Sequence, residues 1–331
     1  MTALIEGASR QSYSATLPFD RFHCLLDEMP LHLIPQCARA SLRLNDDGRD
    51  LILNPDCTFC PAGRLPEEVE PLTELLAGFA LQGTMAWVRD RRSGNLLPFW
   101  LGPRLEAALH DLRTGEAKAA NLPADVCALL AGAGILTSAK CPDPRTWEEV
   151  EKAGRVFREK GYAPLRNLIH PFHIAALRRY YRYLIRIGKI ELGDGQSPRR
   201  YVTYNEPVAR YFHHQLNADL SAVAGEPLKP SYVYTASYLS GAELKKHTDR
   251  AQCEFSITLC LDFSPEPALE TPWPIRLDTP SGAVEVHQAL GDGLAYRGTK
   301  LPHYRDVLPE GQTSTSIFFH YVGADFEGPL D

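Results

Sequence analysis

The chain has 331 residues, of which 44% are apolar and 23% charged, an ordinary globular composition long enough to fill two domains. A formal net charge of −6 argues against nucleic acid as a partner, because phosphate binding needs a basic footprint. No apolar run approaches the ~20 residues that span a bilayer, so no membrane partner is expected.

Met1–Ser14 lacks a basic start followed by an apolar core, so no secretory signal is read there and the expected compartment is the cytoplasm. Eight scattered cysteines fit that compartment in a chain this large. Only Cys57 and Cys60 form a Cys-x-x-Cys, and without a second pair beside them a zinc site has weak support. In the first ~140 residues, Glu67–Phe79, Pro103–Leu112 (ended by Gly115) and Pro123–Leu130 (ended by Gly132) read as short helices. The strand-like Thr84–Val88 and Leu97–Leu101 lie between them. Three short helices with a β-ribbon are compatible with a winged-helix-like module. A structural extension or a dimerisation arm is the simpler reading, which leaves a homo-oligomer open.

Pro142-Asp143-Pro144 reads as a linker, dividing an N-terminal mixed α/β accessory domain (1–140) from a second domain (145–331). Thr146–Lys160 is predicted helical, with Gly161 as its stop, and so is Pro171–Ile187, where Ile174, Leu177, Tyr181, Leu184 and Ile185 recur at helical spacing before Gly188. The Arg178/Arg182/Arg186 stripe on that helix reads as a solvated face. Val208–Val223 is predicted as one further helix, with Asn205 as its cap ahead of Pro207.

From residue 231 the pattern changes to short strands. Ser231–Leu239 is rich in Tyr, Val and Thr and stops at Ser240-Gly241; its Tyr232, Tyr234 and Tyr238 share one face by parity. Glu254–Asp262 alternates Phe255, Ile257, Leu259 and Leu261 with other residues, as a half-buried strand does. Pro274–Leu277, Ala283–His287, Gly293–Tyr296, the His303 segment and Ser314–Val322 complete a set of seven or eight strands at near-regular spacing, which predicts a sandwich or jelly roll. The fold class expected is therefore α+β, a jelly-roll core with buttressing helices and a smaller N-terminal part.

The chemistry concentrates in Leu244–Arg250 (LKKHTDR) and Leu301–Arg305 (LPHYR). His247 and Asp249 stand two apart, so on a strand they share a face, and His303 on a neighbouring strand completes two imidazoles and a carboxylate. That ligand set suits a non-haem Fe(II) ion with open positions for other ligands. Arg305, two residues beyond His303, shares its face. The bland alternatives are a surface His near an Asp, an Arg305 paired with Asp306 or Asp249, tyrosines that are simply core, and, for Arg250 and Glu254, a structural ion pair in place of contacts with the carboxylate and amine of an amino-acid-like substrate. Thr258 and Trp273 stay ambiguous.

Residues ~155–325 resemble the Fe(II)/2-oxoglutarate-dependent dioxygenase superfamily, in the prolyl-hydroxylase-like layout of a double-stranded β-helix. The match runs through an aromatic strand, His247-x-Asp249, a hydrophobic strand, Gly291-Asp292 before a strand, and His303. The resemblance implies Fe(II) on His247, Asp249 and His303, with 2-oxoglutarate and O2 as cosubstrates. It also implies hydroxylation, or another oxidation such as desaturation or ring formation, of a C–H bond in a small molecule, amino acid or peptide. Asp249 disfavours halogenation, since family halogenases lack that carboxylate. The chain departs from the family about ten residues after the distal histidine, where Thr313, Ser314 and Thr315 replace the usual cation. A buried carboxylate needs a paired cation, and Arg305 is the first choice, with Arg297 and Arg276 in reserve; Tyr232, Tyr234, Tyr238 and Tyr296 are further candidates for the cosubstrate. The competing class is a non-catalytic jelly-roll protein that binds a ligand or partner.

Overall fold

The computed structural model describes residues 17–41, 51–90, 94–116, 118–138 and 146–331; Met1–Ser14, Cys141 and the Pro142-Asp143-Pro144 linker lie outside them. The N-terminal part runs α1 (Ile34–Ser41), β1 (Leu51–Leu53), β2 (Cys57–Cys60), β3 (Met85–Arg89), β4 (Leu96–Trp100), α2 (Pro103–Thr114), α3 (Ala124–Gly132) and β5 (Leu136–Ser138). Strands β2, β3 and β4 form an antiparallel sheet and β1 pairs with β5. The helix expected over Glu67–Phe79 is a 3-10 stretch, Glu70–Gly78. Its last glycine lies against Val208, where a side chain would collide, so the segment is shaped by packing as well as by its own pattern. The helix expected at Pro123–Leu130 runs on through Gly132, and the left-handed turn falls at Gly134 instead.

Four helices and three strands follow: α4 (Thr146–Lys160), β6 (Tyr162–Leu165), α5 (Pro171–Arg186), β7 (Glu191–Leu192), β8 (Arg200–Tyr204), α6 (Pro207–Gln215) and α7 (Asn217–Ala224). The single helix expected over Val208–Val223 is thus two, broken at Leu216, which caps the end of one and the start of the other. One apolar stripe spans both because Phe212 and Leu220 are buried on either side of the break and Leu216 is buried at it. The cap of α6 is Glu206, whose carboxylate accepts from the Ala209 amide. Asn205 instead takes a left-handed φ of 48° and accepts from the Val233 amide.

Eight strands make the core: β9 (Leu228–Tyr238), β10 (Leu244–His247), β11 (Phe255–Ser264), β12 (Ile275–Thr279), β13 (Gly282–Val286), β14 (Gly293–Tyr296), β15 (His303–Arg305) and β16 (Thr313–Gly323). They alternate between two sheets, seven-stranded β6-β14-β11-β16-β9-β8-β7 and four-stranded β10-β15-β12-β13. First, eighth, third and sixth strands against second, seventh, fourth and fifth is the wiring of a jelly roll. The α+β class expected from the pattern is the one observed. Strand β11 departs from expectation in being buried on both faces. It is central in its sheet, covered outside by α5 and inside by the second sheet. The arginine stripe of α5 is likewise not simply solvated: Arg178 and Arg182 both donate to Asp262 of β11, at 2.9 and 2.6 Å, and tie the helix to the sheet.

The buried apolar residues of the N-terminal part and of α4 to α7 form one continuous cluster with the outer face of the large sheet. Phe22 sits edge-on to Phe79, Trp100, Tyr180 and Phe212. His173 and Tyr211 bond the Pro98 and Leu96 carbonyls of β4. A separate cluster fills the space between the two sheets, with Tyr232, Tyr234, Ala236, Tyr238, Phe318 and Trp273 among its members. The three tyrosines therefore share the inner face, as their parity requires. No helix among the described residues is long and apolar enough to cross a membrane.

Candidate metal centre and chamber

His247 and His303 are direct partners across the β10–β15 pair, which brings their ring centroids to 4.4 Å. Asp249 is not on the strand, as the spacing suggested, but two residues past its end. Its amide donates to the Gly298 carbonyl, and a side chain at Gly298 would overlap the Asp249 carboxylate. The turn after β14 therefore sets the position of this ligand, and only a glycine lets it come so close. Asp249 Oδ1 lies 3.6 Å from His247 Nε2 and 3.5 Å from His303 Nε2. Ligand atoms at about 2.1 Å from one ion stand about 3 to 4 Å apart, so the spacing fits a shared cation.

The outer nitrogens strengthen the fit. His247 Nδ1 lies 2.7 Å from the Lys245 carbonyl and His303 Nδ1 3.0 Å from that of Leu301. A carbonyl only accepts, so each ring is the tautomer with its proton on Nδ1 and its Nε2 lone pair free for a metal. Burial also holds the His303 imidazole below its usual pKa, against the opposing pull of the Asp249 carboxylate. Ser256 donates to the other carboxylate oxygen, Asp249 Oδ2, at 3.2 Å, and contacts His320 Nδ1 at 2.9 Å. Among the described residues the groupings able to hold a metal are this triad and Asp249, Cys253 and His320, which shares its carboxylate. Cys57 and Cys60 are in neither; three apart on β2, they point to opposite faces, and burial pushes the Cys57 thiol up to about 12.

Arg305 is 4% exposed and two residues along β15 from His303, about 7 Å deeper between the sheets. Nη1 donates to the Trp273 carbonyl at 2.7 Å, Nη2 reaches Gln288 Oε1 at 3.4 Å, and the guanidinium lies 4.8 Å from the centre of the Trp273 ring. Its Nε has no partner, and the charged or titratable groups around it include Tyr238, Cys260, Tyr296 and His303, none a carboxylate. The ion pairs with Asp306 or Asp249 weighed from the sequence are not formed. A buried cation without a counter-ion is costly, and here it stands between the two sheets on the strand that carries His303. On β16, Ser316 Oγ is a second buried polar atom without a partner; it shares the inner face with His320 and Phe318 and is the register partner of Cys260.

The other expected residues divide. Arg297 points away from the chamber, against the rings of Phe157 and Phe255, with Glu226 at 3.8 Å, because the turn that holds Gly298 beside Asp249 sends its neighbour outward. Arg276 is spent on Glu285 and Asp306. Tyr238 lies on the inner face, its hydroxyl accepting from Arg200 at 3.4 Å, while Tyr234 donates to Asp194, which pairs with Arg200. Tyr296 accepts from Thr258 and its ring lies 4.8 Å from that of His303. Glu254 gives only its carbonyl, to the Gly298 amide. Ser256, Gln288, Gly298 and Ser316 were missed. For Ser256 and Ser316 the usable signal was parity, polar residues alternating with the apolar ones on β11 and β16.

No family model and no curated protein matches the chain. Among solved structures, it is similar to the non-heme alpha-ketoglutarate-dependent epimerase SnoN from nogalamycin biosynthesis (14% identity, TM-score 0.46, 54% of this chain and 84% of that one). It is also similar to the carbocyclase SnoK of the same biosynthesis (14%, 0.46, 56% and 88%) and to a Pseudomonas putida prolyl-4-hydroxylase (15%, 0.43, 52% and 97%). Similarities of this size carry no inference about activity, which has to come from the chain's own residues.

Proposed function

We propose that the chain is an Fe(II)- and 2-oxoglutarate-dependent oxygenase that hydroxylates or otherwise oxidises a C–H bond of a small molecule, amino acid or peptide. We also propose that it acts in the cytoplasm, the compartment its cysteine usage favours, with residues 1–140 as an accessory domain braced against the helices of 145–331. The observation that carries the reading is a two-histidine, one-carboxylate triad with the buried Arg305, which has no carboxylate beside it, two residues along the strand from its second histidine.

His247, Asp249 and His303 would hold the metal on one face, and Fe(II), when bound, supplies the redox chemistry with O2 and 2-oxoglutarate. Arg305 takes the far carboxylate of the cosubstrate, offering donors in a fixed fork that a lysine lacks. Gln288 steadies the guanidinium, since its amide donates to the Thr258 and Asp292 carbonyls while its oxygen faces Arg305. Ser316 Oγ is placed to donate to the same carboxylate. Ser256 holds one carboxylate oxygen of Asp249 and so leaves the other for the metal. The surrounding tyrosines and Trp273 keep the chamber dry, which strengthens each of these contacts.

Anaerobic addition of Fe(II) and then 2-oxoglutarate should give a visible metal-to-ligand absorption band, and admitting oxygen should yield succinate. In Arg305→Leu the 2-oxoglutarate affinity should fall far more than the Fe(II) affinity. Wild type that binds neither metal nor 2-oxoglutarate ends the oxygenase reading; Arg305→Leu with unchanged 2-oxoglutarate affinity removes Arg305 as the anchor.

A further inference from the structure

The chamber has a second cation, at its other end. Arg250 follows Asp249 directly and is exposed, yet it is not free to wander: its guanidinium carbon lies 4.6 Å from the centre of the Tyr232 ring. The titratable groups that face it are Tyr232, which is its hydrogen-bond partner, Cys253 and His320, and no carboxylate pairs with it among the described residues. Tyr232 is fixed in turn, its hydroxyl 3.1 Å from Cys253 Sγ and its ring 4.7 Å from that of His320. The rest of the wall is aromatic. Tyr204 is the register partner of Tyr234 across β8 and β9, so it shares the inner face. Its ring lies 4.6 Å from Tyr234 and 6.4 Å from Tyr232, and it is 56% exposed. The left-handed Asn205 ends the strand directly after it, leaving that ring at the rim. One exposed ring, Tyr204, thus stands beside the buried rings of Tyr234 and Tyr232, and the exposed Arg250 lies on the last of these, next in sequence to Asp249.

We propose that this rim is a substrate-recognition site in which Arg250 takes an anionic group, carboxylate or phosphate, while the flat body of the substrate lies along the exposed ring of Tyr204. Its assignment to the substrate rests on the oxygenase reading, since Arg305, deeper in the chamber, is the cation left for the cosubstrate. Stacking on Tyr232 holds the guanidinium plane ready, so an anion meets a preorganised fork. The substrate class is then an acid carrying a flat or cyclic body, delivered with that body beside the metal ligands.

The test titrates the full-length, metal-free chain by calorimetry with phenylacetate, phenyl phosphate and neutral phenylacetamide. One anion or both should bind at least about tenfold tighter than the amide, the scale of one charge-assisted contact; whichever wins identifies the acid. Arg250→Gln should erase that preference, Arg250→Lys should keep part of it, and Tyr204→Ala should weaken all three probes by a similar factor. Anions that bind no tighter than the amide, a preference that survives in Arg250→Gln, or no binding of any probe to wild type would each overturn the proposal. The two readings fail separately. Wild type that binds Fe(II) and 2-oxoglutarate but shows no anion preference loses only the rim site, and wild type that binds neither while keeping the preference loses only the oxygenase.

Discussion

The two faces of the seven-stranded sheet are built from the same strands and do different work. Along β11, Phe255, Ile257, Leu259 and Leu261 join the apolar cluster that reaches into the helices and the N-terminal part. Their alternates Ser256, Thr258 and Cys260 line the interior. Along β16, Ile317, Phe319 and Tyr321 face out while Ser314, Ser316, Phe318 and His320 face in. Outside, nearly every partner is apolar, although Thr235 Oγ1 and His173 Nδ1 there lack a partner as Arg305 Nε and Ser316 Oγ do inside. What separates the faces is charge: the inner one holds the buried Arg305 with no carboxylate beside it, and a buried cation without a counter-ion is costly, which marks that face as the one arranged for an anion.

Substitutions on the two faces should therefore separate stability from binding. The largest stability effect belongs to the outer face: Leu259→Ala, at a position with no exposure, should cost about 2–5 kcal/mol of folding stability by denaturant titration. A loss below about 1 kcal/mol would mean the outer face is not the close-packed side.

A pH effect acts on the same outer core. Burial holds the His173 and His213 imidazoles at about 3, well below their usual 6.5. Below pH 6.5 the unfolded chain takes up protons that the folded chain refuses. Their contribution to stability is therefore complete above pH 6.5 and lost as pH falls toward 3, by about 1.4 kcal/mol per pH unit for each imidazole. Denaturation at pH 7, 6, 5 and 4 checks this, and His213→Gln should flatten the slope; an unchanged slope would place that imidazole within reach of water.

Smallest for stability is the inner face. Ser316→Ala should shift the unfolding free energy by no more than about 1 kcal/mol, because the hydroxyl gives up no bond in the folded chain. It should still weaken 2-oxoglutarate binding several-fold. A variant that loses stability and keeps its affinity would reverse the roles assigned to the two faces.

Period and parity carried much of this into the sequence. The order of the jelly-roll strands, the shared face of Tyr232, Tyr234 and Tyr238 and the meeting of His247 with His303 all follow from alternation along strands. What alternation leaves open is what lies beyond a face, and so β11 reads as half-solvated when its polar side lines a closed chamber. Contacts distant in sequence were hidden for the same reason. Nothing local marks Gly298 as the residue that makes room for Asp249, or Asp262 as the anchor of Arg178 and Arg182. Parity with His303 ranks Arg305 ahead of Arg297, but nothing local says that the turn after β14 sends Arg297 outward onto Phe157 and Phe255.

Anaerobic titration of the metal-free chain with Fe(II), in wild type and in Asp249→Ala and His303→Ala, tests the convergence of the three ligands most directly. One equivalent bound per chain in wild type, with binding abolished in both variants, is the predicted result. Equal binding in all three proteins, or none in wild type, would contradict it.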